Sequence, residues 1–205
     1  MQCGPIRHTA AKPATAPHDL EVVPRTLFSR IELPTDAGIQ DIFRQLAHDR
    51  ERTEAIVAEV RNAIALGRKV LVLTERTDHL DAIRIALDDL TPRPFVLHGR
   101  MSKRQRSALV AELDALPPDA PRTLLATGKL VGEGFDHPPL DTLILAMPVS
   151  WRGTLQQYAG RLHREHVGKT NVRIIDFVDS GHPALLRMWE KRQRGYRSMG
   201  YRVMP

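Results

Sequence analysis

The sequence predicts an α/β fold in which a parallel sheet is covered by helices on both faces. Continuous apolar runs at 69–74, 122–126, 142–146 and 172–178 read as strands with no exposed face, the pattern of a sheet buried on both sides. Between these runs, apolar residues recur at the three-to-four-residue period of amphipathic helices. At 205 residues, 42% hydrophobic and 26% charged, the chain is long enough for one well-cored domain with terminal extensions.

Residues 1–25 carry Pro5, Pro13, Pro17 and Pro24 among scattered Ala and Thr and show neither period, so they read as a linker or extended connection. Residues 26–180 form the folded domain and residues 181–205 a basic C-terminal extension. The first strand is expected at Thr26 to Leu33. A helical region follows from Asp36 to Leu66, with Ile39, Ile42, Phe43 and Leu46 before the polar step Asp49-Arg50-Glu51-Arg52, and Ile56, Val57, Val60 and Ile64 after it. That step implies a break or bend. Gly67 stands where helices favour a left-handed stop. Beyond the strand at 69–74, Asp78 is expected to cap a helix running to about Leu90. Arg93 to Leu97 reads as strand and Ser102 to Leu116 as helix. The strands at 122–126, 142–146 and 172–178 follow, and a basic helix begins at about Pro183.

Composition excludes several classes. Cys3 is the single cysteine, so there is no internal disulfide, and no Cys/His cluster has zinc spacing. No apolar run approaches the ~20 residues of a membrane span, and Met1 to Ala16 lacks the apolar core of a signal peptide. A cytoplasmic protein with no membrane partner is the expectation. Net charge is +6, and its distribution is uneven. The segment from Arg187 onward holds six of the 30 basic residues (Arg187, Lys191, Arg192, Arg194, Arg197, Arg202) but, in Glu190, one of the 24 acidic ones. Such an excess suits either an electrostatic contact with a polyanion or a solubilising tail. Trp189 and Tyr196, seven apart, suit packing onto the core or stacking on bases.

The chemistry concentrates in Gln157-Tyr158-Ala159-Gly160-Arg161-Leu162-His163-Arg164, which reads Q-x-x-G-R-x-x-R. On a helix, Gln157, Arg161 and Arg164 share one face. Arginine presents a planar fork of donors, always charged, that matches phosphate oxygens in pairs, so the stripe suits a polyanion such as a triphosphate. Gly160 removes a side chain where a ligand or another backbone has to come close. Upstream, Leu124 to Pro138 joins an apolar strand to a glycine-rich loop carrying Gly134 and Asp136, and the strand at 142–146 then leads to the arginine element.

Strand, glycine loop, strand and arginine helix in this order resemble motifs V and VI of superfamily 2 helicases and related translocases. Val70 to Arg76 looks like motif IV, and Leu97-His98-Gly99 with the following helix is similar to the next family element. The likeness runs from about Lys69 to Phe177, about half of the chain. It is nearest to a Q-x-x-G-R-x-x-R motif VI with an E-G-F-D motif V, and departs from the DEAD-box pattern of H-R-x-G-R-x-x-R and R-G-x-D. It implies the second, C-terminal RecA-like domain of a helicase or translocase. By resemblance, Arg161 and Arg164 are arginine fingers reaching a γ-phosphate held by a partner domain, and Gln157 senses that phosphate or the attacking water. Gly134 and Asp136 belong to the ATP-binding set with them. Thr127, Gly128, Gly99 and Arg106, with Thr74 as a weaker candidate, contact a nucleic-acid backbone. His98 reads equally as a satisfied histidine at a strand end.

A phosphate-binding loop needs G-x-x-x-x-G-K-[ST]. Gly168-Lys169-Thr170 has His163 where the first glycine belongs, and it precedes a strand, so it reads as a turn. No D-E-x-[HD] box occurs. The resemblance therefore implies half of a motor: ATP and Mg²⁺ held only with a first RecA-like domain, on the same full-length chain or a partner chain, none bound by this chain alone, and DNA or RNA as the other partner. A stand-alone, non-catalytic nucleic-acid-binding module is the alternative. Residues 1–25 read either as the connection from such a first domain or as a true start at Met1.

Overall fold

The computed structural model describes residues 19–28, 33–34, 36–128, 135–149 and 154–205. Seven parallel strands form one sheet in the order β3-β4-β2-β5-β6-β1-β7. They are β1 Asp19–Leu27, β2 Lys69–Thr74, β3 Phe95–Leu97, β4 Arg122–Thr127, β5 Thr142–Leu145, β6 Asn171–Asp179 and β7 Arg202–Val203. The helices are α1 Ile39–Ala47, α2 Arg50–Ala65, α3 Thr77–Ala86, α4 Lys103–Asp114, α5 Gln156–Leu162 and α6 Pro183–Ser198.

The apolar runs fold as doubly buried strands because alternate residues serve opposite cores. Val70 and Val72 pack with Ile56 and Val60 of α2 and Leu80 and Ile83 of α3. Leu71 and Leu73 pack with Leu113 of α4, Tyr158 and Leu162 of α5, and Tyr196 of α6. Each fully buried aliphatic side chain contributes about 1.5–3 kcal/mol, so the central strands fix the fold. At the carboxyl end of the sheet, Ile42 and Leu46 of α1 meet Met147 and Leu185 in a smaller cluster.

The break expected at Asp49 exists: α1 ends at Ala47, and the Asp49 carboxylate caps α2 by accepting from the Arg52 amide at 3.2 Å. Gly67 closes α2 with φ 70°, which only glycine adopts without strain. Ser102 caps α4 in a reciprocal box with Gln105.

Three boundaries differ from the sequence reading. The first strand begins at Asp19, not Thr26, and pairs with β6 at nine positions, so residues 19–25 belong to the sheet and not to a linker. Pro24 misled because proline argues against a central strand. β7 pairs only with Glu21 and Val22, leaving the far half of β1 an edge, where proline is tolerated. Residues 181–205 are no loose extension either: Leu185, Arg192 and Tyr196 of α6 are buried, and β7 completes the sheet. Asp78 lies in the first turn of α3 instead of capping it; Arg76 occupies the cap, and the Asp78 carboxylate accepts from Arg76 at 2.7 Å.

Candidate nucleotide and nucleic-acid interface

The carboxyl edge of the sheet gathers four of the predicted residues: Thr74, Gly99, Thr127 and Gly128. Thr74 and Thr127 are register partners on the last rung between β2 and β4. Leu97 and Ala126 hold the last rung between β3 and β4, which brings His98 and Gly99 beside Thr127 and Gly128. Open α/β sheets bind ligands along this edge.

The residues differ in availability. Gly99 is exposed. Thr74 is buried, and its hydroxyl is committed: it accepts from the Arg76 amide at 3.3 Å and shares a hydrogen bond with His79 Nδ1 at 3.2 Å. Burial, then the Arg52 guanidinium nearby, pushes the His79 imidazole down to about 4. Among the described residues, Arg106 Nε on α4 and His98 Nδ1 are buried without a hydrogen-bond partner.

Gly128 is fixed by packing. A Cβ there would stand 1.9 Å from Tyr158 Oη and 2.6 Å from Glu75 Oε1. Tyr158 Oη donates to Glu75 Oε1 at 3.1 Å directly above it, and burial, then the Glu75 charge, pushes the phenol up. The hydroxyl of α5 thereby touches the ends of β2 and β4, joining the arginine helix to the strand-end loops. Sequence reasoning passed over this link because tyrosine at that spacing reads as core.

Helix α5 divides cleanly. Tyr158, Ala159 and Leu162 face the core, whereas Gln157 and Gly160 are exposed and Arg161 is half-buried. Arg164 is exposed but lies two residues beyond the helix, so it does not share the helical face that the spacing implied. A Cβ on Gly160 would meet nothing within 4 Å, so the chain's own packing does not require glycine there. Among the described residues, the Gln157 and Arg161 side chains have no hydrogen-bond or ion-pair partner. Arg164 Nε lies 3.2 Å from Asp136 Oδ2, with both side chains open to solvent. The structure thus brings the acid of the glycine loop to the second arginine. Gly134 lies outside the described residues.

Asp136 is held in place by its neighbour. His137 is buried; its Nε2 lies 3.0 Å from Arg122 Nη1 and its Nδ1 3.0 Å from Asp114 Oδ1. Since the guanidinium can only donate, Nε2 accepts and Nδ1–H points to Asp114. Burial, outweighing the Asp114 hydrogen bond, lowers the imidazole's pKa, so it stays neutral and the tautomer is fixed. At α5's far end, His163 Nε2 and the Tyr201 hydroxyl lie 2.8 Å apart, which ties the short helix to the segment after α6.

Gly168 has φ 79° and sits in the turn before β6. Lys169 points inward, donating to the Pro138 carbonyl at 2.7 Å, and burial lowers it to about 8. No phosphate cradle forms there. Among the described residues no group of three or more His, Cys, Asp or Glu could hold a metal ion, and no helix is long and apolar enough to cross a membrane.

A seven-stranded parallel sheet flanked by helices, with an arginine-bearing helix packed against it, defines a RecA-like domain of the superfamily 2 type. The model of the helicase conserved C-terminal domain matches residues 51–166, and the chain belongs to that family. It is 36% identical over 99 residues to uncharacterized protein 108L of Invertebrate iridescent virus 3, covering 48% of this chain and 88% of that one. It is 23% identical over 182 residues to probable helicase D10 of Escherichia phage T5, covering 89% of this chain and 39% of that one. Its fold is that of T4 UvsW (TM-score 0.68, 16% identity, 90% of this chain and 41% of that one). S. cerevisiae Dbp5 bound to RNA and ADP BeF3 is similar at TM-score 0.58 and 13% identity, over 91% of this chain and 41% of that one. The chain therefore spans about two-fifths of the length of D10, UvsW and Dbp5.

Proposed function

We propose that this domain is the second motor domain of an ATP-dependent nucleic-acid helicase or translocase, the first RecA-like domain being supplied from elsewhere in a longer chain or by a partner. The observation that carries the reading is the division of α5: its apolar face is core, while Gln157 is exposed, Arg161 is half-buried on the other face, and Arg164, two residues beyond the helix end, is exposed. A guanidinium on the open face of a core-anchored helix is preorganised for charge that develops elsewhere.

Arg161 and Arg164 present donors to a γ-phosphate across the interdomain cleft, Gln157 hydrogen-bonds the phosphate or the attacking water, and Gly134 and Asp136 complete the nucleotide side. The donor set fits the phosphate end of ATP. It offers no cradle for the α- and β-phosphates and no described acid cluster for Mg²⁺, so both belong to the complete two-domain motor, where the nucleotide supplies the phosphoanhydride bond. Thr127, Gly128, Gly99 and Arg106, with Thr74 contributing least, line the path of a DNA or RNA backbone. Contacts of this sort position a strand without reading its bases.

The test is steady-state ATP hydrolysis by the chain alone and with a first RecA-like domain joined to it. Alone it should turn over essentially no ATP. The complete motor should hydrolyse ATP, and Arg161→Ala should abolish turnover while largely sparing ATP binding. Persistent turnover in that variant would overturn the finger assignment.

A further inference from the structure

Several surface cations of this fold are neutralised by a neighbour. Arg25 pairs with Glu59 at 2.5 Å, Arg50 with Glu54 at 2.7 Å, Arg61 with Asp89 at 2.6 Å and Arg202 with Asp19 at 3.2 Å. Two places differ: Arg100, Lys103 and Arg104 at the start of α4 are exposed without an ion-pair partner among the described residues, and helix α6 carries a longer set. Its Arg192 turns inward to Asp176, but Arg187, Lys191, Arg194 and Arg197 are exposed and have no ion-pair partner among the described residues. Glu190 is the one acid on the helix. The undescribed residues contain two acids, Glu32 and Glu133, too few to neutralise four cations wherever they lie.

Arg187, Lys191 and Arg194 stand at i, i+4 and i+7, one stripe opposite the buried Leu185, Arg192 and Tyr196. The fold holds that stripe rigidly. Asp176 accepts from both Arg192 Nε at 2.7 Å and Nη2 at 3.0 Å, and Tyr196 Oη donates to the same carboxylate at 2.8 Å. Trp189, the other aromatic ring of the helix, packs against the core and so offers no platform for bases. With about 1.5 Å of rise per residue, the stripe from Arg187 to Arg194 spans about 10 Å. One strand of a duplex advances about 3.4 Å per phosphate along its axis, so the stripe matches about three successive phosphates.

We propose that the α6 stripe is a second docking surface for a nucleic-acid backbone, separate from the strand-end residues and acting through charge alone. The proposal rests on the reading above for the identity of the polyanion. It requires no aromatic stacking and no base contact, so it discriminates by salt and not by sequence.

The experiment is fluorescence-anisotropy titration of the whole chain with a labelled duplex and a labelled single strand from low to moderate salt. The variants are the triple R187Q/K191Q/R194Q, a control R50Q/R61Q on α2, and R106Q/T127A at the strand ends, each checked for an unchanged unfolding midpoint. Each backbone contact adds about 0.9 to the slope of log K against log salt on duplex DNA. The triple variant should therefore lower the slope by about 2 to 3, and the α2 control should leave it unchanged. An unchanged slope in the triple variant overturns the stripe, whatever R106Q/T127A does. If R106Q/T127A has no effect while the triple lowers the slope, the strand-end assignment falls and the stripe stands. Absence of binding by the wild-type chain overturns the stripe outright. Loss of poly-glutamate binding by the triple variant, with oligonucleotide binding intact, also overturns it and assigns the stripe to an acidic protein.

Discussion

Arg192 and Arg161 look alike in the sequence, each a basic residue on an amphipathic helix, yet the fold puts them to opposite uses. Arg192 is 1% exposed and grips Asp176 through two hydrogen bonds. Arg52, also buried, donates from Nη1 to Asp179 Oδ1 at 2.5 Å and from Nε to the Ala146 carbonyl at 2.9 Å. Arg161 is held by a helix whose other face is core, but its own guanidinium has no ion-pair partner among the described residues. Arg164, two residues beyond that helix, is open to solvent and pairs with Asp136. A buried, paired guanidinium has its donors committed and can only hold structure. An unpaired one on a rigid mount has donors to offer. Partnering, and not residue type, separates architecture from candidate chemistry.

The largest expected effect breaks that comparison on the functional side. In a complete two-domain motor, Arg161→Ala should lower turnover by 10³ to 10⁵, about 4 to 7 kcal/mol of barrier, while moving the unfolding free energy by less than about 0.5 kcal/mol. Arg192→Ala should reverse the pattern. It strands the Asp176 carboxylate in the core and should cost about 3–5 kcal/mol of stability, read as a lower midpoint in guanidinium chloride. Equal stability losses in the two variants would erase the distinction.

Much of this was readable in advance, for identifiable reasons. Strands buried on both faces write themselves as apolar runs, and the break at Asp49 was visible as a polar step between two apolar stripes. Spacing alone put Gln157, Arg161 and Arg164 on one helical face, but α5 stops at Leu162, so Arg164 lies beyond it. What was hidden depends on contacts far apart in the chain. Arg52 sits in a polar tetrapeptide that reads as solvated, and only its ion pair with Asp179, 127 positions away, explains its burial. Arg192 likewise reads as part of a basic tail. Gly128 read as a ligand-facing glycine, but the clash it avoids is with Tyr158 and Glu75, neither adjacent in sequence. Pro24 masked half of β1 because edge status depends on how short β7 is.

The next effect sharpens the buried side of the comparison. His79 lies beneath the site; burial first, then the Arg52 charge, takes its imidazole from 6.5 down to about 4. The folded state therefore prefers the neutral ring. Its stabilisation is complete above pH 6.5 and is lost as pH falls toward 4, about 2 kcal/mol of it between pH 7 and pH 5. Denaturation at several pH values should show this loss in the wild type, and His79→Gln should flatten it. A parallel pH dependence in both proteins would mean that other groups govern acid stability.

The smallest effect tests whether the open face of α5 is kept for something outside the chain. Gly128 and Gly160 are both glycines of the candidate site, but only Gly128 is demanded by internal packing. Gly160 is helical and exposed, with nothing within 4 Å of a built Cβ, so Gly160→Ala should stabilise the fold by about 0.5–1 kcal/mol through helix propensity and chain entropy. If a nucleotide or a partner domain comes close to the helix at that point, the more stable variant should turn over ATP more slowly in the complete motor. A gain in stability with unchanged turnover would show that nothing approaches α5 at Gly160, and that contact with Arg161 and Arg164 is made through their long side chains alone.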